Sequence, residues 1–187
     1  MSDSEAGHLV REMAMGSFSV KWIYELDADY RIDLGKYLAE HGDQTLSFQD
    51  SSGVERLVLY PTGTAIIRAR YAWDGCTPKF ALFDMLFGIP DGVPNEQTRK
   101  PKAYYASLVH DVLYQFLDVD LPITRRGADA AFFDILERHA FTPRYIYWAF
   151  VRVFGGLTRY FTRWKRSYHG RRVPLGPTAP VPATRAP

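Results

Sequence analysis

One segment near the middle of the chain, SLVHDVLYQF at residues 107–116, sets a histidine beside an aspartate within an otherwise apolar stretch. Its spacing, at about 100° per residue, predicts one helix over residues 101–117 that begins at a proline. His110, Asp111 and Tyr114 fall near a common line along this helix. Imidazole, carboxylate and phenol side chains can bind a metal ion or relay a proton, so these three residues form a candidate site.

Two further acidic residues stand at positions where a carboxylate is typical of a site. In the helix predicted over residues 124–139, with Thr124 as its N-cap, Asp129 points toward the apolar face and Arg125 lies one turn before it. A buried carboxylate needs a partner, because burying it alone costs several kcal/mol; the candidates are Arg125, His110 or a metal ion. Asp74, in WDGCTP, ends a predicted strand at a turn before a predicted helix, where sites often form.

Three carboxylates and one imidazole from three segments make up the predicted constellation: Asp74, His110, Asp111 and Asp129. This donor set suits zinc, manganese or magnesium, and a bound divalent ion could acidify a water molecule for hydrolysis. The sequence therefore predicts a metal-dependent hydrolase, in which Tyr114 and Arg125 orient the ligands or stabilise developing negative charge.

Each member of the constellation also has a purely structural interpretation. Asp74 could cap its turn, His110 could be a satisfied core histidine, and Asp111 could be an exposed helix charge. Asp129 could form only an ion pair with Arg125. On this alternative the chain is a non-catalytic accessory or structural protein, whose polar cluster locks three segments together.

Length and patterning indicate one α+β domain that would position these residues. The chain has 187 residues, of which 47% are hydrophobic and 15% aromatic, enough for an ordinary core. Apolar alternation from residue 17 to residue 73 predicts a small antiparallel β-meander. Helical periodicity then predicts about four helices, over 79–87, 101–117, 124–139 and from 143 onward. Residues 1–15 are predicted to be a loose leader, 16–170 the domain, and the proline-rich 171–187 a disordered or extended tail.

The cysteine count and the distribution of apolar residues indicate the compartment in which the protein is expected. A single cysteine, Cys76, excludes an internal disulfide and a four-cysteine zinc site, and it favours a reducing compartment. The polar, acid-containing start lacks the basic and apolar regions of a secretion signal. No stretch of about 18 apolar residues lacks a charge, so no transmembrane span is expected.

Four segments in order, YAWDGCTPKF, ASLVHDVLYQF, TRRGADAAFFDIL and YWAFVRVFGG, resemble the domain of unknown function family 1353 of phages and bacteria. The resemblance covers roughly residues 55–157 and departs from the family pattern at residues 76–77 and in a long loop over 88–100. The matching positions are Asp74, Gly75, Pro78, His110, Asp111, Leu113, Tyr114, Arg125, Ala128, Asp129, Phe132, Val151, Arg152, Phe154 and Gly155. The family implies a phage or prophage context, with a cytoplasmic (host-cell) or virion-associated location and phage proteins as partners, and it brings no settled activity.

The last third of the chain carries most of the basic excess. Along the helix predicted from residue 143, apolar residues follow one face and arginines another: Arg152, Arg159, Arg163 and Arg166. One interpretation is a core helix with a solvated charged face. The other is contact with an anionic membrane surface or with nucleic acid, for which the nearby aromatic residues are suited.

Overall fold

A computed structural model describes residues 11–15, 18–22, 24–39, 43–73, 75, 80–82, 85–87, 94–96, 98–152 and 171–175. The strands are β1 (Arg11–Met15), β2 (Phe18–Trp22), β3 (Tyr24–Glu25), β4 (Tyr30–Asp33), β5 (Thr45–Gln49), β6 (Glu55–Leu59), β7 (Thr64–Ile67), β8 (Ala72–Trp73), β9 (Phe80–Leu82), β10 (Met85–Phe87) and β11 (Arg171–Leu175). The helices are a 3-10 turn (Gly35–Tyr37), α1 (Tyr104–Phe116) and α2 (Arg125–Arg138). Residues 144–152 are also helical. Antiparallel strands followed by helices confirm the predicted α+β class.

The central sheet has five antiparallel strands in the order β11-β5-β6-β7-β4. Strands β5, β6 and β7 follow one another as the predicted meander, and the hairpin between β6 and β7 turns at Gly63. Gly63 has φ +84°, and a Cβ there would lie 2.4 Å from the Cα of Gly35. The turn therefore requires glycine both for its conformation and for the close approach of the backbone.

The prediction of a helix over residues 79–87 is wrong. Strands β9 and β10 pair there as an antiparallel hairpin instead. Three helical segments longer than the 3-10 turn therefore lie in the described part of the chain, rather than about four. The physical reason is that a short apolar run rich in aromatic residues carries no periodicity long enough to separate a strand from a helix.

Both predicted terminal segments contain strands. The last five residues of the predicted leader form β1, which pairs with β2. The first five residues of the predicted tail form β11, the edge strand beside β5, with Val173 opposite Ser47. A proline such as Pro174 is compatible with an edge strand, because one side of that strand has no neighbouring strand to which a backbone N–H would donate. The remainder of the predicted leader and tail, residues 1–10 and 176–187, lies outside the described residues.

Helix α1 packs on the sheet, and α2 packs against α1 and the 3-10 turn, so that these elements share one core. The rings of Phe48 on β5 and Phe116 on α1 lie 5.5 Å apart, and both residues are fully buried. Trp73, at the end of β8, is also fully buried and donates its indole N–H to the Ser107 hydroxyl of α1 at 3.1 Å. These contacts fix the rotation of α1 about its axis, which determines where His110 faces. None of the described helices is long and apolar enough to cross a membrane.

Helix α2 begins as the sequence predicts. The Thr124 side chain accepts a hydrogen bond from the backbone N–H of Gly127 at 3.1 Å and thereby caps the first turn. Gly127 packs closely against the 3-10 turn, since a Cβ on it would lie 2.9 Å from the carbonyl oxygen of Tyr37. The Thr124 cap and the close contact of Gly127 together set the position of Asp129, which lies in the second turn of α2.

Candidate functional site

The candidate site lies between the middle of α1 and the second turn of α2. His110 Nε2 is 3.4 Å from Asp129 Oδ1, and both residues are buried, Asp129 with 1% of its surface exposed. The contact is long and poorly aligned, and Nε2 makes no hydrogen bond. We therefore treat it as an electrostatic contact that could tighten into a hydrogen bond with a small change of ring orientation.

Both oxygens of the Asp129 carboxylate accept hydrogen bonds. The Tyr114 hydroxyl donates to Oδ1 at 2.5 Å, and Arg152 Nη1 donates to Oδ2 at 3.1 Å. Burial raises the pKa of Asp129, but the nearby His110 ring and the hydrogen bonds from Tyr114 and Arg152 outweigh burial, so that its pKa is lowered overall. Asp129 is therefore an ionised carboxylate at neutral pH, although it is almost completely buried.

Arg125 supports the site from the side of α2. Its Nε donates to the Tyr114 hydroxyl at 3.1 Å, and its Nη2 donates to the carbonyl oxygens of Val151 at 3.3 Å and Arg152 at 2.6 Å. Arg125 is therefore linked to Asp129 through the Tyr114 hydroxyl, which is hydrogen-bonded to both, and not through the direct ion pair that the sequence offered as one alternative. Burial and the Asp129 hydrogen bond raise the pKa of Tyr114 well above its usual value, which keeps the phenol protonated as a donor.

His110 lies between two carboxylates. Its Nδ1 is 3.7 Å from Asp111 Oδ1, on the opposite side of the ring from Asp129. Burial lowers the pKa of His110, but Asp111 and Asp129 raise it by more, so the net shift is upward. The imidazole ring also packs against the Tyr114 ring, with centroids 4.0 Å apart, and against the Phe132 ring at 5.1 Å. The ring is thus fixed in orientation while both nitrogens face negative charge.

The structure brings together five of the six residues predicted from the sequence: His110, Asp111, Tyr114, Arg125 and Asp129. The sixth, Asp74, lies outside the described residues, as do Arg159, Arg163 and Arg166 of the predicted basic face. In the described part of the chain, no group of three or more His, Cys, Asp and Glu side chains is placed to hold a metal ion.

The sequence analysis places Arg152 on a basic helix face that is either solvated or in contact with an anionic partner, whereas the structure places its guanidinium 3.1 Å from the Asp129 carboxylate. The periodicity of a single helix could not show this contact, because the partner is on α2, 23 residues earlier. The sequence resemblance noted above includes Arg152 among its matching positions but assigns it no partner. Arg152 is therefore a site residue.

Comparisons of the chain with protein-family models, with curated proteins and with solved structures found no match. The function must therefore be argued from the geometry of the site.

Proposed function

We propose that this protein is a hydrolase in which His110 transfers protons and Asp129 positions it. The observation that carries the proposal is the placement of His110 Nε2 3.4 Å from an ionised, buried carboxylate whose two oxygens are held by Tyr114 and Arg152. Of the two carboxylates beside the ring, Asp129 is the nearer, at 3.4 Å against 3.7 Å for Asp111, and the more deeply buried, so it favours the tautomer with hydrogen on Nε2 and the lone pair on Nδ1. In this arrangement Nδ1 is the basic atom.

Nδ1 lies on the side of the ring that faces Asp111, which is partly exposed to solvent. In the proposed reaction Nδ1 takes a proton from a water molecule as the water oxygen attacks the substrate. The resulting imidazolium is stabilised by Asp129 and then returns the proton to the leaving group, so the enzyme ends as it began. The upward shift of the His110 pKa predicts that the rate rises with pH as the imidazolium loses its proton.

The metal-dependent version predicted from the sequence is less favoured by the described contacts. A cation bound to Asp129 would compete with the Tyr114 hydroxyl and the Arg152 guanidinium for the same two oxygens. It would also lie near the positive charge of Arg152, which repels it. We therefore propose that Asp129 orients His110 rather than binding a metal. Elemental analysis showing one divalent ion per chain, lost in Asp129→Asn, would overturn this assignment.

Replacement of one histidine at a time tests the proposed role. Because positioned proton transfer contributes roughly 100- to 10,000-fold to a rate, His110→Gln should lose at least about 100-fold in turnover. The probes are 4-nitrophenyl acetate, 4-nitrophenyl phosphate and bis(4-nitrophenyl) phosphate, assayed from pH 5 to pH 9. His139→Gln is the matched control, because His139 stacks on Tyr105 at the far end of α2. Its turnover should stay at the wild-type level.

Two outcomes would count against the proposal. One is equal turnover in His110→Gln and His139→Gln, which would show that His110 takes no part in the reaction. The other is the absence of wild-type turnover above the buffer rate on every probe. Urea unfolding of both variants shows whether a lost rate comes from lost structure, because an unfolded variant would also lose its cooperative transition.

A second candidate function, a non-catalytic accessory or structural role, is favoured by the contacts of Arg125. Its bonds to the carbonyl oxygens of Val151 and Arg152, together with the Arg152–Asp129 pair, tie α2 to the helical segment 144–152. Under this proposal His110→Gln lowers stability and changes no rate. The phage or prophage context, with a host-cell or virion-associated location, is likewise a proposal, and it depends on the family resemblance alone.

A further inference from the structure

A cluster of large apolar side chains lies on the surface where α2 meets the helical segment 144–152. We call Phe133, Tyr145, Ile146 and Trp148 the aromatic patch. The ring of Phe133 lies 5.2 Å from that of Tyr145 and 6.2 Å from that of Trp148, so the rings are contiguous. The patch adjoins the candidate site, because Arg152 contacts both Asp129 and the Trp148 ring.

The aromatic patch is unusually exposed for its composition. Tyr145 has 62% of its surface exposed, Ile146 59% and Trp148 38%. The remaining large hydrophobic residue exposed in the described part of the chain is Val54, on the turn between β5 and β6. Single exposed apolar residues are ordinary, but a contiguous group of them marks a surface that another molecule covers.

The charge around the aromatic patch indicates what covers it. The Arg144 guanidinium lies 4.9 Å from the centre of the Tyr145 ring, and that of Arg152 lies 5.8 Å from the Trp148 ring. Both arginines have an acidic partner: Glu137 is 3.6 Å from Arg144, and Asp129 is 3.1 Å from Arg152. From residue 144 to the end, the sequence has nine Arg and Lys and no Asp or Glu, whereas residues 1–143 have 14 basic and 21 acidic residues. Three of the four patch residues therefore lie at the start of the strongly cationic part of an otherwise anionic sequence.

We propose that the aromatic patch binds an anionic lipid bilayer surface, with its side chains at the level of the lipid headgroups. Tyr and Trp are the residues enriched at membrane–water interfaces, and Ile146 adds aliphatic area that can enter the acyl region. The basic residues that follow supply electrostatic attraction to anionic headgroups. The exposed aliphatic side chain of Ile146 favours lipid over nucleic acid, since it can neither stack on a base nor bond a phosphate.

Vesicle co-sedimentation of the full chain tests the proposal. The vesicles are phosphatidylcholine alone, or phosphatidylcholine mixed equally with phosphatidylglycerol, and the salt is varied. Binding should require phosphatidylglycerol and weaken as salt increases. Ile146→Ser should weaken binding about fivefold, the effect expected from losing the burial of a half-exposed isoleucine. Val54→Ser is the matched control, because Val54 is about equally exposed but lies on the sheet; its binding should be unchanged.

Trp148→Ser is a second variant at the aromatic patch and should weaken binding at least as much as Ile146→Ser. Equal binding by the patch variants and Val54→Ser would refute the proposal, as would equal binding to the two kinds of vesicle. Two further results would assign the patch to another partner and refute the lipid. These are binding of a single-stranded DNA oligonucleotide that Ile146→Ser weakens, or dimerisation by ultracentrifugation that Ile146→Ser abolishes.

Discussion

The charge of Asp129 should be a large contributor to the stability of the helical layer, and Asp129→Asn removes that charge while keeping the shape of the side chain. Tyr114 would then donate to a neutral oxygen instead of an ionised one, which weakens its bond by about 1 kcal/mol. Arg152 would lose its anion. Breaking a buried pair costs about 3–5 kcal/mol, but the Arg152 side chain is 35% exposed, and solvent screening reduces that loss to roughly 1–2 kcal/mol.

With the weakened attraction to His110, the expected loss is about 3 kcal/mol of unfolding free energy at pH 7. In a chain of this length it corresponds to a melting temperature lower by roughly 6–12 °C. Urea unfolding followed by tryptophan fluorescence measures the loss, and the urea dependence should stay constant if only stability has changed. Glu137→Gln, the same exchange on an exposed side of α2, is the control and should change stability by less than about 0.5 kcal/mol. A loss in Asp129→Asn no larger than that in Glu137→Gln would refute our account of the site.

Two further predictions concern the same helices. The pKa of His110 is raised on folding, so its charged form stabilises the protein fully below pH about 6.5, and this stabilisation disappears as pH rises through the folded pKa. His139 acts in the opposite sense, because burial and Arg138 lower its pKa. The unfolding free energy of the wild type minus that of His110→Gln therefore isolates the contribution of His110. This difference should be smaller at pH 8.5 than at pH 6. A larger difference at pH 8.5 would contradict the direction of the pKa shift. Gly127→Ala, which in most helices stabilises by up to about 1 kcal/mol, should instead destabilise by roughly 1–3 kcal/mol, because its Cβ would lie 2.9 Å from the Tyr37 carbonyl oxygen. Thermal unfolding measures this, and a raised melting temperature would show that the backbone gives way easily.

The parts of the fold that sequence reasoning anticipated are those whose signals are local. Alternation over β5 to β7 depends on residues close in the chain, and so does the cap that Thr124 makes on α2. The strands β9 and β10 were missed, because their apolar run is too short to carry a period. The strand β11 was missed because its pairing partner, β5, lies more than 100 residues earlier.

The candidate site followed the same rule. The direction of Asp129 toward the core and the nearness of His110 to Tyr114 could be read from single helices. The partner of Asp129 could not, since Arg152 comes from a third segment whose rotation depends on tertiary packing. The hydrogen bonds of Arg125 to backbone carbonyl oxygens could not be predicted either, because backbone acceptors do not affect the pattern of side chains.

The pairing of β11 with β5 has a consequence for how the protein is made. On a ribosome, the hairpin of β5 and β6 emerges well before residues 171–175. The edge of β5 that pairs with β11 therefore stays unpaired until most of the chain has been synthesised. During that interval its N–H and C=O groups form an open template for other nascent chains. A ribosome that stalls before β11 would therefore release a product prone to aggregate, even though α1, α2 and the site residues between them were already complete.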